Sequence, residues 1–451
     1  VAFLSNRDKD PDRSLSYQVL IMRPKAGEAL VKLATYEGGE GSSLAWSPDG
    51  QYIAYMPGSE GKYTAYNMNR LAIVPVRGGE ARVLTAKLDR NILSPEFSSD
   101  GKSVYVLVED DTVQYPARVS VADGSVTRLV NDKAVISSYC AKSGNQAVIG
   151  SDDMHPEEVQ ALEAGKLRKL SHENDAFLAP LKLSPMENVS FKDKDGVEVH
   201  GLLVKPLDYQ AGDKYPLLLR IHGGPNGQDA HEFRFDDQIF AANGYAVLNV
   251  NYRGSAGRGE SFQRAIFADW GDKEVADLLA GVDHVIAMGV ADPERLGIGG
   301  WSYGGILTDY TIATDPRFKA AISGAGSANQ ISMYGVDEYV YQYDNELGPP
   351  WKNPDAWVKI SYPFFKADRI HTPTLFMGGD KDFNVPLVGS EQMYQALRTL
   401  DVPTELVVYP GEFHGFTRPS FVRDRLHRYL NWYGKYLKGA EKPAVAQTKA
   451  P

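Results

Sequence analysis

With 451 residues the chain is longer than one hydrophobic core usually fills, so two or three domains are expected. Its 43% apolar and 24% charged residues are ordinary for a globular protein, and no apolar run reaches the ~18 residues that cross a bilayer. Forty-eight basic against 58 acidic residues leave a net charge of −10 without a basic cluster, which argues against nucleic acid or an anionic membrane as partner.

A single cysteine, Cys140, excludes an internal disulfide and a cysteine-based zinc site, and it reads as a small buried apolar residue. No export signal is visible and the compartment stays open.

The first third of the chain repeats itself. Residues 45–50 (Ala-Trp-Ser-Pro-Asp-Gly) and 96–101 (Glu-Phe-Ser-Ser-Asp-Gly) are matching tight turns, with Gly at the position that accepts positive φ. Strand-like runs follow at 52–56 and 103–109, then hairpins over 71–84 about Gly78-Gly79 and 117–129 about Asp123-Gly124. A weaker third copy runs from Cys140 to Leu170. A spacing on the order of 40–50 residues is that of β-propeller blades, with a β-sandwich as the rival. Residues 1–175 are thus expected to form about four blades. Residues 1–8 read as the strand that follows such a turn, without the turn, and no initiator Met is present. Upstream blades are therefore expected to be missing from this chain.

The rhythm changes after Ser171. A hairpin signal at Asp195-Gly196 joins 189–192 to 198–204. Apolar runs at 216–221, 245–250, 295–299, 320–322, 374–377 and 406–409 fit strands buried on both faces. Helical patterns at 274–287 and 421–437 lie among them, so 186–438 is expected to be a mostly parallel, doubly wound α/β sheet. The segment 439–451, rich in Lys, Ala and Pro, is expected to be a disordered tail.

Gly300-Trp301-Ser302-Tyr303-Gly304 fits G-x-S-x-G between a strand and a helix. This is the setting of the nucleophile elbow of an α/β-hydrolase, and it marks Ser302 as nucleophile. In that fold the acid and then the base follow the serine. Of His371, His414 and His427, His414 lies just past the last strand and is the expected base. His371 precedes a strand and His427 lies in the final helix. The loop after 374–377 offers Asp380 and Asp382, which spacing does not separate; the one that is not the acid is expected to be a solvated loop charge. The oxyanion donors are expected to be the Tyr303 N–H and a backbone N–H of Gly223 or Gly224 in His222-Gly223-Gly224-Pro225, with His222 structural.

Asn251-Tyr252-Arg253-Gly254-Ser255, Asp269-Trp270-Gly271, Asp292-Pro293-Glu294-Arg295-Leu296 and Gly300-Trp301-Ser302-Tyr303-Gly304-Gly305, in this order, resemble the prolyl oligopeptidase family of serine peptidases. Within it the resemblance is to the acylaminoacyl peptidase and dipeptidyl peptidase V branch. It implies a propeller that covers the active site and admits only short or unstructured peptides. It implies Asp382 as the acid, followed by Asn384 and Val385, with Asn384 holding a substrate carbonyl near P2. Acylaminoacyl-type members carry Arg at that position and dipeptidyl-type members Asn. His222 stands where the prolyl-type enzymes have an oxyanion tyrosine. Tyr334, Tyr339, Tyr341 and Tyr343 are candidates for the S1 pocket, Tyr334 foremost.

The function expected is acyl transfer from a peptide to Ser302, of dipeptidyl or acylaminoacyl type, with no metal or organic cofactor. Partners are a peptide substrate and, if any, further copies of the chain. The rivals are a carboxylesterase on the same residues and a peptide-binding scaffold with a vestigial hydrolase.

Overall fold

The computed structural model describes residues 1–451 except 26, 38–42, 59, 143 and 439–451. The expected tail lies outside the described residues. Among them no helix is long and apolar enough to cross a membrane.

Two kinds of sheet divide the chain. Up to Lys169 the strands are short and almost all antiparallel, and they form three sheets, the last of eight strands built from two blade-like halves. The first has three strands, Ala2–Asn6, Ser16–Ile21 and Val31–Glu37. The second has four, Ala45–Trp46, Tyr52–Tyr55, Ala72–Pro75 and Arg82–Val83. The two halves of the last, a third blade (Asn91–Phe97, Ser103–Asp110, Val113–Ser120, Val126–Arg128) and a fourth (Val135–Lys142, Asn145–Asp152, His155–Glu163, Lys166–Lys169), touch through a parallel bridge, Gln114 to Val135. The repeated turns are held alike. Ser47 Oγ donates to Asp49 at 2.6 Å and Ser98 Oγ to Asp100 at 2.7 Å, while the same serine oxygens accept the N–H of Tyr52 and Ser103. Gly50 and Gly101 take φ of 68° and 69°.

Cys140 is exposed rather than buried. A bulge between Ile136 and Ser138 slips the strand register by one residue. Such a slip exchanges the two faces of a strand. Ile136 and Tyr139 pack inward and Cys140 is turned to solvent.

From Met186 onward one eight-stranded sheet dominates. Its strands are β1 (Met186–Lys192), β2 (Glu198–Val204), β3 (Tyr215–Ile221), β4 (Ala246–Asn251), β5 (Ala291–Trp301), β6 (Ala320–Gly324), β7 (Thr374–Gly379) and β8 (Thr404–Tyr409), in the order 1-2-4-3-5-6-7-8. β1, β2 and β4 pair antiparallel, and the pairs from β4 to β8 are parallel. Helices α1 (Phe235–Ala242), α2 (Lys273–Ala287), α3 (Tyr303–Thr314), α4 (Val388–Thr399) and α5 (Pro419–Leu437) connect or cover the strands. Alternation sends Leu219 and Ile298 to one face, against Leu278 of α2 and Leu307 of α3. Leu218 and Ile322 go to the other, against Trp432 and Tyr433 of α5. The fold is an α/β-hydrolase preceded by propeller-like blades. Because β3, β5, β7 and β8 run parallel, their C-terminal ends share one rim, where loops can converge.

The propeller is fastened over that rim by polar contacts. Asp111 N–H donates to the Gly257 carbonyl, Gln228 bonds the backbone of Thr112 and Val113, and His231 bridges Asp153 and Asn188 at 2.8 Å each.

Candidate active site

β5 ends at Trp301, and α3 begins at Tyr303. The chain must reverse within one residue, and Ser302 absorbs the turn with φ 62° and ψ −127°. A left-handed non-glycine residue costs roughly 1–3 kcal/mol and persists only where its surroundings enforce it. The enforcement is steric. A Cβ on Gly304 would lie 2.1 Å from the Ile221 carbonyl oxygen, and one on Gly300 would lie 2.5 Å from the same atom. Ser302 N–H donates to the Gly324 carbonyl at 3.0 Å, which fixes the elbow to β6.

The loop after β3 lies directly against the nucleophile. A Cβ on Gly223 would come within 3.2 Å of Ser302 Cβ and 3.8 Å of its Oγ. Gly224 has φ 125°, which a side chain would resist. The N–H groups of Gly223, Gly224 and Tyr303 have no hydrogen-bond partner among the described residues. His222 is buried and stacks on Tyr252 at 4.4 Å; its Nδ1 bonds the Gly223 carbonyl at 2.7 Å and its Nε2 meets Ser255 Oγ at 2.9 Å. Burial holds its pKa below the usual imidazole value. A peptide's C=O and N–H are coplanar and opposed. The ring that pins the Gly223 carbonyl therefore sets the direction of the Gly224 N–H.

The loops after β7 and β8 carry the other two groups. Asp382 is buried, and its Oδ2 bonds His414 Nδ1 at 2.7 Å. Its Oδ1 accepts the N–H of Asn384 and Val385, each at 2.9 Å. Asp380, expected as a solvated charge, is exposed and accepts the Gly411 N–H at 2.6 Å, tying the two loops together. Lys381 N–H to the Glu412 carbonyl is a second tie. Trp301 Nε1 donates to the His414 carbonyl at 2.9 Å, so the residue before the serine anchors the histidine loop. Among the described residues no hydrogen bond joins Ser302 Oγ to the imidazole. Such bonds often tighten only when substrate binds. His371 and His427 are exposed, away from this arrangement.

Ser302 opens onto a pocket walled by Trp270, Met333, Tyr339, Tyr343 and Val385. Tyr334 does not line it. That side chain packs behind Tyr343 and against Trp357, at ring distances of 6.4 and 5.3 Å. Tyr341 lines a neighbouring cavity of ≈620 Å³ between the domains, which Asn67, Asn69 and Asn91 of the propeller also line. Asn384 lines both spaces and accepts a hydrogen bond from the Tyr339 hydroxyl.

Three residues behind the pocket wall carry no sequence motif. Tyr66, fully buried, reaches in from the propeller's Gly61–Tyr66 turn; its oxygen accepts from Trp270 Nε1 at 2.9 Å and donates to Glu346 at 3.1 Å. Glu274 accepts from the Tyr303 hydroxyl at 2.7 Å, and burial pushes its carboxyl up to about 8. Burial likewise raises Glu346. Only the position of Glu274 at the start of an apolar helix face hints at its burial.

Residues 231–440 match the model of the prolyl oligopeptidase family. A peptidase of Bacillus subtilis, named uncharacterized peptidase YuxL, is 30% identical over 401 residues, 84% of this chain and 61% of that protein. Dipeptidyl-peptidase 5 of Porphyromonas gingivalis is 24% identical over 403 residues, 87% of this chain and 59% of its own. The chain thus spans about three fifths of the length of these relatives. Pyrococcus horikoshii acylaminoacyl peptidase shares the fold, with TM-score 0.80 and 24% identity over 98% of this chain and 71% of that one.

Proposed function

Because residues 231–440 form a prolyl oligopeptidase family domain, we propose that the chain is a serine peptidase that cleaves short or unstructured peptides by acyl transfer to Ser302. Ser302 Oγ attacks the scissile carbonyl while His414 Nε2 takes its proton. Asp382, bonded at Nδ1, holds the tautomer and stabilises the imidazolium. The N–H groups of Tyr303 and of Gly223 or Gly224 receive the oxyanion. His414 then protonates the departing amine, and water attacks the acyl enzyme with His414 again as base.

The observation that carries this reading is the left-handed Ser302 on the rim that also bears the Asp382–His414 pair. The substrate class follows from the propeller seated over the pocket and from the peptidase names of the relatives. Asn384 beside the pocket, together with the dipeptidyl-peptidase among those relatives, favours release of dipeptides from a free amino terminus.

The test is a fluorophosphonate probe on the protein and on Ser302→Ala, with turnover of dipeptidyl amides against short-chain esters. Labelling lost in the variant, with amides cleaved, is expected. Esters preferred by a wide margin would make the protein a carboxylesterase, and absence of labelling would make it a scaffold.

A further inference from the structure

The pocket beside Ser302 holds one charged side chain among its described lining residues, Asp337. The chain from the nucleophile to it is aromatic. Tyr303 meets Trp270 edge-on at 6.4 Å, Trp270 meets Tyr343 at 6.0 Å, and the Tyr343 hydroxyl donates to Asp337 Oδ2 at 2.5 Å. Asp337 Oδ1 accepts the Tyr339 N–H at 2.9 Å. Each carboxylate oxygen keeps a further lone pair. No lysine, arginine or histidine pairs with Asp337 among the described residues, and burial raises its pKa against the hydrogen bonds from Tyr343 and Tyr339. Glu346 lies behind the same wall, bonded to Gln342 and Trp270. Ser327 Oγ, also at the pocket, is buried without a partner.

A pocket with aromatic sides and an uncompensated carboxylate suits a side chain with a long apolar stem and a cationic head. The stem packs along the rings and the head meets the acid and the ring faces. We propose that Asp337 makes this pocket select lysine or arginine as the residue whose carbonyl is attacked, the P1 residue. This deepens the peptidase reading and rests on Ser302 as nucleophile. The cation supplies the countercharge that the folded chain withholds from Asp337. A neutral side chain of equal length brings the half-buried carboxylate no charged partner, whereas an ammonium or guanidinium adds a charge-assisted hydrogen bond to those from Tyr343 and Tyr339.

The experiment compares Ala-Lys- and Ala-norleucine-7-amido-4-methylcoumarin, each with a free and with an acetylated amino terminus. Lysine and norleucine share a stem and differ in the charged head. The protein should favour lysine by at least about tenfold in kcat/KM, chiefly through KM. Asp337→Asn should bring the ratio near one, and Asp337→Glu should restore part of it. A ratio near or below one in the wild type, or a ratio that Asp337→Asn leaves in place, overturns the proposal. Calorimetric binding of the products Ala-Lys and Ala-norleucine to Ser302→Ala decides the pocket without turnover: tighter Ala-Lys supports it, equal affinities overturn it. Loss of fluorophosphonate labelling in the wild type would overturn the nucleophile, a failure distinct from that of the pocket.

Discussion

The catalytic rim and the side-chain pocket lie on either side of Ser302, and they are built by different means. The rim is made of strand ends. Ser302, Asp382, His414 and the Gly223-Gly224 loop each follow a parallel strand, and backbone contacts set their positions. The pocket is made of side chains from irregular segments. It draws on the stretch between β6 and β7 that holds Asp337 and Tyr343, on Trp270 before α2, and on Tyr66 behind it from the propeller. Geometry imposed by the main chain tolerates little substitution, whereas geometry made by side-chain contacts can be retuned residue by residue. One scaffold can thus keep its chemistry while its preference changes.

The sharpest way to break this contrast is inside the rim. Asp382→Asn should lower kcat by about 10⁴-fold, since the imidazole loses its orienting charge, while Asp380→Asn keeps an acceptor for Gly411 and should stay within about threefold. Equal effects of the two would mean that the loop, and not the carboxylate, is what matters. Gly304→Ala comes next. Its Cβ would lie 2.1 Å from a backbone carbonyl oxygen that cannot move without β3. A loss of more than about 3 kcal/mol in chemical denaturation, or failure to fold, is expected.

Glu274 tests the seam between the two regions, for it is buried beneath Tyr303. Its folded pKa of about 8 lies above its ordinary 4.5, so the native state holds the proton more tightly than the unfolded chain. Stability from this group is complete below pH ~4.5 and is lost as pH rises through ~8. Glu274→Gln removes that loss. Its melting temperature relative to wild type should climb across this window and level off above it. A difference that is flat with pH would show that Glu274 is not protonated in the native state. The smallest effect belongs to Tyr66→Phe. Glu346 loses a donor and Trp270 keeps only Glu346, so stability should fall by about 1–2 kcal/mol and KM should rise more than kcat falls. An unchanged KM would separate the propeller from the pocket.

The same division explains what could be read without coordinates. The apolar runs at 216–221, 295–299 and 374–377 and the G-x-S-x-G turn follow from short-range rules, and the strands and elbow lie where those rules put them. Spacing does not separate Asp380 from Asp382, because the distinction is which carboxylate turns toward His414 and which toward Gly411. The sequence does not separate Tyr334, which packs behind Tyr343, from its neighbouring tyrosines for a related reason. Nothing in a loop's sequence says which ring faces the cavity and which packs behind it. Tyr66 is 280 residues from Glu346, and no local pattern links them.

The bulge in the fourth blade also has a bearing on handling the protein. It presents the chain's one thiol to solvent. A chain with a single thiol, exposed as Cys140 is, can be joined to one other copy by disulfide formation and to no third. Air-oxidised samples should therefore run on non-reducing gels as monomer and a doubled band with no ladder above it, and a maleimide dye should attach at one stoichiometric position.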